Sequence, residues 1–309
     1  MRRIGVAVMA YGTPASFEEV EAFYTDVRRG RPPSPEQLAE LRSRYAAVGG
    51  TSQLAAQTAA QVAGIQAALE VSSPGRYLCC FGAKHAVPKI EQAVDELARE
   101  GVAGLVGLVL APHYSAASVG EYIERAKKRA AEQALASVFI EDWHDEATLV
   151  SLLAGRVEEA YGRLGVAPFD PETELLVTAH ALPLRVIESG DGYDARLAET
   201  AELVAAAAGA RHWRVCWQSA GRTAEPWIGP DILEVLRALP AEGRRRVVVC
   251  PAGFTSDHLE VNYDIDIDAR RVAREVGLEL ERTASLNDDP RLCAALAALV
   301  EAAAGELGD

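Results

Sequence analysis

Four of the six histidines, His85, His113, His180 and His258, stand on or just past the ends of short apolar runs. His180 is the sharpest of them, because it follows the apolar residues 175–178 almost directly. A neutral imidazole there can take a proton or hold a metal ion; the alternative is a histidine that only hydrogen-bonds within a junction between lobes. Glu260 lies two residues past His258. Imidazole plus carboxylate, with no thiolate nearby, suits a borderline divalent metal bound weakly enough to be passed on.

Residues 257–268 read Asp257-His258-Leu259-Glu260-Val261-Asn262-Tyr263-Asp264-Ile265-Asp266-Ile267-Asp268. If helical, they stack Glu260, Asp264 and Asp268 at i, i+4 and i+8, like charges that destabilise a helix unless cations or arginines visit them. If extended, Asp264, Asp266 and Asp268 share a face. The segment begins past a strand end, which favours a cation path over a merely solvated face. Set against these acids is the stretch Val27-Arg28-Arg29-Gly30-Arg31-Pro32-Pro33-Ser34-Pro35, whose guanidinium forks suit carboxylate or phosphate groups unless they simply form a solvated loop. Trp217 and Trp227 bracket one further loop. They either stack a flat ligand or pack in the core.

Other chemistries lose their main support. No G-x-G-x-x-G opens a helix after the first apolar run, and there is neither a P-loop nor a G-x-S-x-G elbow. Thirty-one Lys and Arg against 45 Asp and Glu give a formal charge of -14, which repels nucleic acid and anionic lipid. The five cysteines have no metal-clip spacing and read as buried thiols. The apolar run at 4–10 is too short for a signal peptide, and no run approaches the ~20 residues of a membrane helix. A cytoplasmic protein is expected.

The elements that must position these residues are apolar runs at 4–10, 77–81, 105–111, 137–140, 175–178, 213–217 and 247–250, separated by helix-period segments. Strands apolar on both faces and alternating with helices predict an α/β protein with parallel sheets covered on both sides. The second half repeats the first: Pro88 and Pro230 each precede a helical stripe, a glycine and a further strand, and similar turns follow the strands at 4–10 and 175–178. Two Rossmann-like lobes are expected, 1–145 and 146–309, each a parallel four-stranded sheet flanked by helices. The last helix must pack on one of them or across their junction. Ligands of such sheets bind beyond the carboxyl ends of the strands, here in a cleft between the lobes.

Together these stretches resemble the ferrochelatases, class II chelatases that insert ferrous iron into a porphyrin in haem synthesis. The resemblance runs over nearly the whole chain, from Val8-Met9-Ala10-Tyr11-Gly12-Thr13-Pro14 through Arg44-Tyr45-Ala46-Ala47-Val48-Gly49-Gly50-Thr51-Ser52, Leu110-Ala111-Pro112-His113-Tyr114-Ser115, Thr178-Ala179-His180-Ala181-Leu182-Pro183 and Trp217-Gln218-Ser219 to Asp257-His258-Leu259-Glu260. It implies that His180 and Glu260 are catalytic and form the inner metal site. It also implies that Asp264 and Asp268 form an outer cation-binding line, with Mg²⁺ a candidate occupant, and that Arg44 stands near that line and the substrate carboxylates.

The form resembled is the short, soluble, monomeric one that takes coproporphyrin III rather than protoporphyrin IX. Tyr11 matches the tyrosine that ligates iron from the face opposite the histidine. Arg28, Arg29, Tyr45, Ser52 and Tyr122 match positions lining the propionate pockets, and Trp217 joins the substrate-binding set. The sequence stops at Asp309 without the extension and clustered cysteines of cluster-bearing members, so no iron–sulfur cluster is expected and Fe²⁺ is a substrate, not a cofactor. Asp268 is one methylene shorter than the glutamate often found there. The resemblance also implies transient contact with a downstream coproheme decarboxylase. Three rival readings remain: a protoporphyrin IX ferrochelatase, a sister chelatase placing cobalt or nickel in sirohydrochlorin, and a porphyrin or haem carrier that performs no chemistry.

Overall fold

Two parallel four-stranded sheets carry the strand ends singled out above. The computed structural model of the protein describes residues 3–51, 53–221 and 223–307. The first sheet consists of β1 (Ile4–Ala10), β2 (Tyr77–Ala83), β3 (Leu105–Val109) and β4 (Ser137–Ile140), in the order β2-β1-β3-β4. The second consists of β5 (Thr173–His180), β6 (Trp213–Gln218), β7 (Arg246–Cys250) and β8 (Glu279–Arg282), in the matching order β6-β5-β7-β8. The shared order gives the internal repeat a topological form.

The helices are α1 (Val20–Val27), α2 (Pro35–Ala47), α3 (Leu54–Ser72), α4 (Ile90–Arg99), α5 (Val119–Glu132), α6 (Ala147–Arg163), α7 (Leu184–Glu188), α8 (Tyr193–Ala208), α9 (Ile232–Ala238), α10 (Arg270–Glu275) and α11 (Pro290–Ala304). Local chemistry fixes several starts. Ser34 caps α2 through a reciprocal box with Gln37, with Pro35 in the first turn, and the Asp231 carboxylate accepts from the Leu233 amide at 2.8 Å at the start of α9.

Side-chain alternation explains why the strand runs are apolar throughout. On β1, Val6 and Val8 face the inner core while Ala7 and Met9 face outward; on β5, Leu175 and Val177 face inward and Leu176 outward. The outer face of the first sheet is covered by α4 and α5, and that of the second by α9, α10 and the Val261–Ala269 helix. The inner core runs continuously from one sheet to the other through α3, α6, α8 and α11, so the two lobes share a core. Although α11 comes last in the chain, it packs on α3, β3 and β4 of the first sheet as well as on α6. A side chain at Gly64 of α3 would stand 2.6 Å from Cys293 Sγ, so this cysteine fills a close helix contact. Among the described residues, no helix is long and apolar enough to cross a membrane.

Several strand boundaries differ from the sequence expectation: β2 runs on to Ala83, and β5 extends two residues further at each end, from Thr173 to His180. β3 ends at Val109, two residues before its apolar run does, because the chain turns away to line the cleft with Leu110 and Ala111. β8 has no apolar run to announce it: it is an edge strand, and Leu280 is the one buried residue in it.

Candidate active site

The carboxyl ends of both sheets open on one cleft with a cavity of about 400 Å³. Tyr11, Lys84, His113 and Tyr122 line it from the first lobe, and His180, Tyr193, His258 and Glu260 from the second.

His180 is the last residue of β5. Its Nδ1 lies 2.5 Å from the Ala181 carbonyl, so Nδ1–H donates there and Nε2 is the nitrogen left for chemistry. The Tyr193 hydroxyl donates to the His180 carbonyl at 3.2 Å and steadies the strand end.

Glu260 arrives from a loop pressed onto the same strand. The Gly253 amide donates to the Thr178 carbonyl at 3.0 Å, and a Cβ at Gly253 would stand 2.4 Å from that of Ala179. Only glycine allows this approach. Gln218, at the end of β6, accepts from the Thr178 hydroxyl at 2.8 Å and donates to the Glu260 carbonyl at 3.3 Å, tying β5 to the segment.

Two imidazoles flank the Glu260 carboxylate. His180 Nε2 is 3.6 Å from Oε1, and His258 Nε2 is 3.5 Å from Oε2. His258 also donates Nδ1–H to a backbone carbonyl, that of Ser256 at 3.1 Å. Both imidazoles therefore turn the same nitrogen toward one carboxylate, beyond ordinary hydrogen-bond length. Two bare lone pairs would repel the anion, so the arrangement calls for a proton or a cation between them. Burial pushes the Glu260 carboxyl up, but the charges of His180, His258 and Arg44 and the close approach of His258 outweigh it and hold it at about 2. Among the described residues, no three His, Cys, Asp or Glu side chains gather closely enough for a ready-made ion site.

The acidic segment is helical, with the wide i→i+5 turns of a π-helix over Val261–Ala269. Its like charges are relieved one by one. Asp264 accepts a short hydrogen bond from the Ser219 hydroxyl and lies 3.6 Å from Arg44 Nη1, while Asp268 is 3.4 Å from Arg271 Nη2. Burial, aided by the Glu260 charge, raises Asp264 to about 6 despite Ser219 and Arg44. Asp266 points elsewhere, to Arg282 at 3.0 Å.

Tyr11 faces the cleft, 40% exposed, with its ring edge-on to His85 at 4.7 Å. The surrounding walls, and then the Glu260 charge, push its phenol well up, so it stays protonated. Tyr45 and Tyr122 also line the cleft, and burial raises Tyr45 to about 12.

The remaining predicted residues lie outside the immediate lining. Arg28 lies over the Tyr24 ring at 5.5 Å, and Arg29 pairs with Glu121 at 3.0 Å, so the basic stretch stays within its own lobe. From the first lobe it is Arg44 that meets the acid line, at Asp264, and it is also stacked over Tyr263 at 4.8 Å. Trp217 is buried, 3% exposed, and packs against Tyr193 at 5.5 Å beneath the cleft, whereas Trp227 stands 6.5 Å from the His180 ring. Ser52 lies outside the described residues. Sequence reasoning did not assign Lys84, Tyr193 or His258 to the site. His258 and Lys84 were visible as residues just past strand ends, but Tyr193 is placed by tertiary packing and gave no local signal.

Comparison with known proteins gives the family and the fold. The ferrochelatase family model matches residues 3–304. The chain is 40% identical over 302 residues to a coproporphyrin III ferrochelatase of Geobacillus sp. (strain WCH70), covering 97% of each chain. It is 41% identical over 291 residues to a ferrochelatase of Herpetosiphon aurantiacus, covering 93% of this chain and 95% of that one. Its fold is similar to that of SirB from Bacillus subtilis, solved with Fe³⁺, with a TM-score of 0.62 at 12% identity over 98% and 97% of the two chains. The family match over almost the full length, with two imidazoles and a carboxylate on the wall of a cleft between two parallel sheets, shows that this chain belongs to the ferrochelatase family of metal chelatases, which insert iron into a porphyrin.

Proposed function

We propose that the chain inserts Fe²⁺ into coproporphyrin III, giving the iron porphyrin and two protons, with His180 and Glu260 receiving the metal or the protons. The observation that carries this reading is the Glu260 carboxylate between two imidazole Nε2 atoms, on a cleft wall that also holds Tyr11.

In this reading the macrocycle enters between the lobes with its propionates toward Arg28, Arg29, Arg44, Tyr45, Ser52 and Tyr122. The pocket walls pucker the ring so that pyrrole lone pairs point out of plane. His180, supported by ionised Glu260, accepts a pyrrole proton or holds Fe²⁺ as its water leaves, and two protons depart as the metal enters. Asp264 and Asp268 form the outer line, with Mg²⁺ as a candidate occupant. The reading has a cytoplasmic monomer without a resident cofactor, passing product to a coproheme decarboxylase. The substrate choice is supported by the cations near the cleft rim and by the name of the Geobacillus relative.

Anaerobic insertion of Fe²⁺ into coproporphyrin III and protoporphyrin IX, followed side by side by Soret absorbance, tests it. Faster insertion into coproporphyrin III is expected. A preference for protoporphyrin IX would overturn the substrate, and no insertion into either would overturn the reading.

A further inference from the structure

In the first lobe, a single carboxylate holds two cations at the edge of the cleft. Glu121, in the first turn of α5, takes Arg29 on Oε1 at 3.0 Å and Lys84 on Oε2 at 2.7 Å. Lys84 lines the cleft, and its Nζ stands 5.0 Å from the centroid of the Tyr122 ring, which lines it too. The Lys84 side chain is 11% exposed, so Glu121 offsets the cost of burying its charge. Arg125 braces this position by donating to the Lys84 carbonyl at 2.8 Å, while its own charge is committed to Glu91 at 2.7 Å. Lys84, Arg29 and Glu121 together carry a net charge of +1.

We infer that Glu121 is a resident stand-in for a substrate carboxylate. It occupies the fork between Arg29 and Lys84 that a porphyrin propionate takes, and so tunes how tightly this rim of the cleft holds carboxylated porphyrins. The inference rests on the porphyrin reading above and adds a specificity-determining residue to it. A guanidinium and an ammonium bridged by one carboxylate have the geometry a propionate needs. The Arg29 side chain is 79% exposed and free to swing toward an incoming carboxylate, whereas Lys84 is fixed. An incoming propionate then shares or replaces a partner of equal charge, so the exchange is nearly balanced and the fork grips only weakly. Removing the Glu121 charge leaves a +2 fork and unbalances that exchange in favour of the substrate.

The test is the dissociation constant of metal-free porphyrin, read by fluorescence quenching, for the intact chain and for Glu121→Gln and Glu121→Ala. Both variants should bind coproporphyrin III about fivefold tighter, the size of one partly exposed charge pair, with a steeper salt dependence. The tetramethyl ester of coproporphyrin III, which has no carboxylate, should bind all three proteins alike. Glu121 is half-buried and compensates the buried Lys84 charge, so both variants should melt lower while remaining folded. Unchanged or weaker coproporphyrin binding by folded variants would overturn the inference, as would equal tightening toward the ester. The porphyrin that the unmodified chain prefers is a separate readout, so failure of the substrate reading and failure of the Glu121 inference are told apart.

Discussion

The backbone of Gly253 rests directly on Ala179, so close that a Cβ on the glycine would stand 2.4 Å from that of the alanine. This contact seats the loop that carries Glu260 beside the end of the strand that carries His180. Gly253→Ala forces the loop off β5. Overpacking of this kind costs about 1–3 kcal/mol. The expected outcome is a lower Tm together with a loss of iron insertion larger than the stability change explains, measured by thermal melt and initial rate on the same preparation. A variant with normal rate and Tm would show that the loop is set by other contacts.

Arg282 is predicted to be a positioning residue. It grips Asp266 at 3.0 Å and Asp257 at 3.2 Å, so one guanidinium holds both the entry to the acidic segment and its middle, with Glu260 between them. Arg282→Ala removes the shared cation, leaving Asp266 with Arg270 and Asp257 with Ser285 and Asn287, and should lower stability by about 1–3 kcal/mol, given its partial burial. Insertion should fall chiefly in kcat. Lysine at this position should recover part of the stability and less of the rate, because it cannot bridge two acids bidentately. Equal rescue of both would reduce Arg282 to a general stabiliser.

His113 gives the fold a predicted weakness toward acid. It is 3% exposed, its Nε2 is 2.9 Å from the Thr200 hydroxyl, and burial, aided by neighbouring His144, lowers it to about 3. A histidine in an unfolded chain titrates near 6.5. Between those values the unfolded chain binds the extra proton, so stability is complete above about pH 6.5 and declines as pH falls toward 3, by up to about 1.4 kcal/mol per pH unit. His144 works in the opposite sense: despite burial, bonds to Asp142 and Glu199 raise it, so its contribution is present at low pH and fades as pH rises through its folded value. Denaturant melts from pH 7.5 to 4.5 should show a net decline that His113→Gln flattens. An equally steep decline in that variant would place the acid sensitivity elsewhere.

How legible the molecule is from its sequence varies element by element. β1 and β5 announce themselves because they are buried on both faces, and with them come Tyr11 and His180, the residues at their carboxyl ends. β8 does not, since an edge strand needs one buried face and here shows a single buried leucine. The spacing of Glu260, Asp264, Asp266 and Asp268 fits a helix or a strand, and nothing local signals the wide π turns or the separate partners that relieve each charge. Trp217 follows the same lesson. Its type suits a flat ligand, yet it lies at a strand position that points into the core against Tyr193. Lys84 reaches Glu121 across 37 residues of chain through packing alone, and no pattern within either segment foretells it.

The central claim is that His180 performs the insertion step. The most direct test is anaerobic Fe²⁺ insertion by His180→Ala, run with a thermal melt and a porphyrin-binding titration on the same sample. The side chain is about one-third exposed at a strand end, and its removal takes away no core packing. The account predicts an unchanged melt, retained porphyrin binding, and a fall in rate of at least about 10²-fold, as expected for loss of a positioned acid–base or ligating group. A folded variant that binds porphyrin and still inserts iron at a substantial fraction of the normal rate would contradict it.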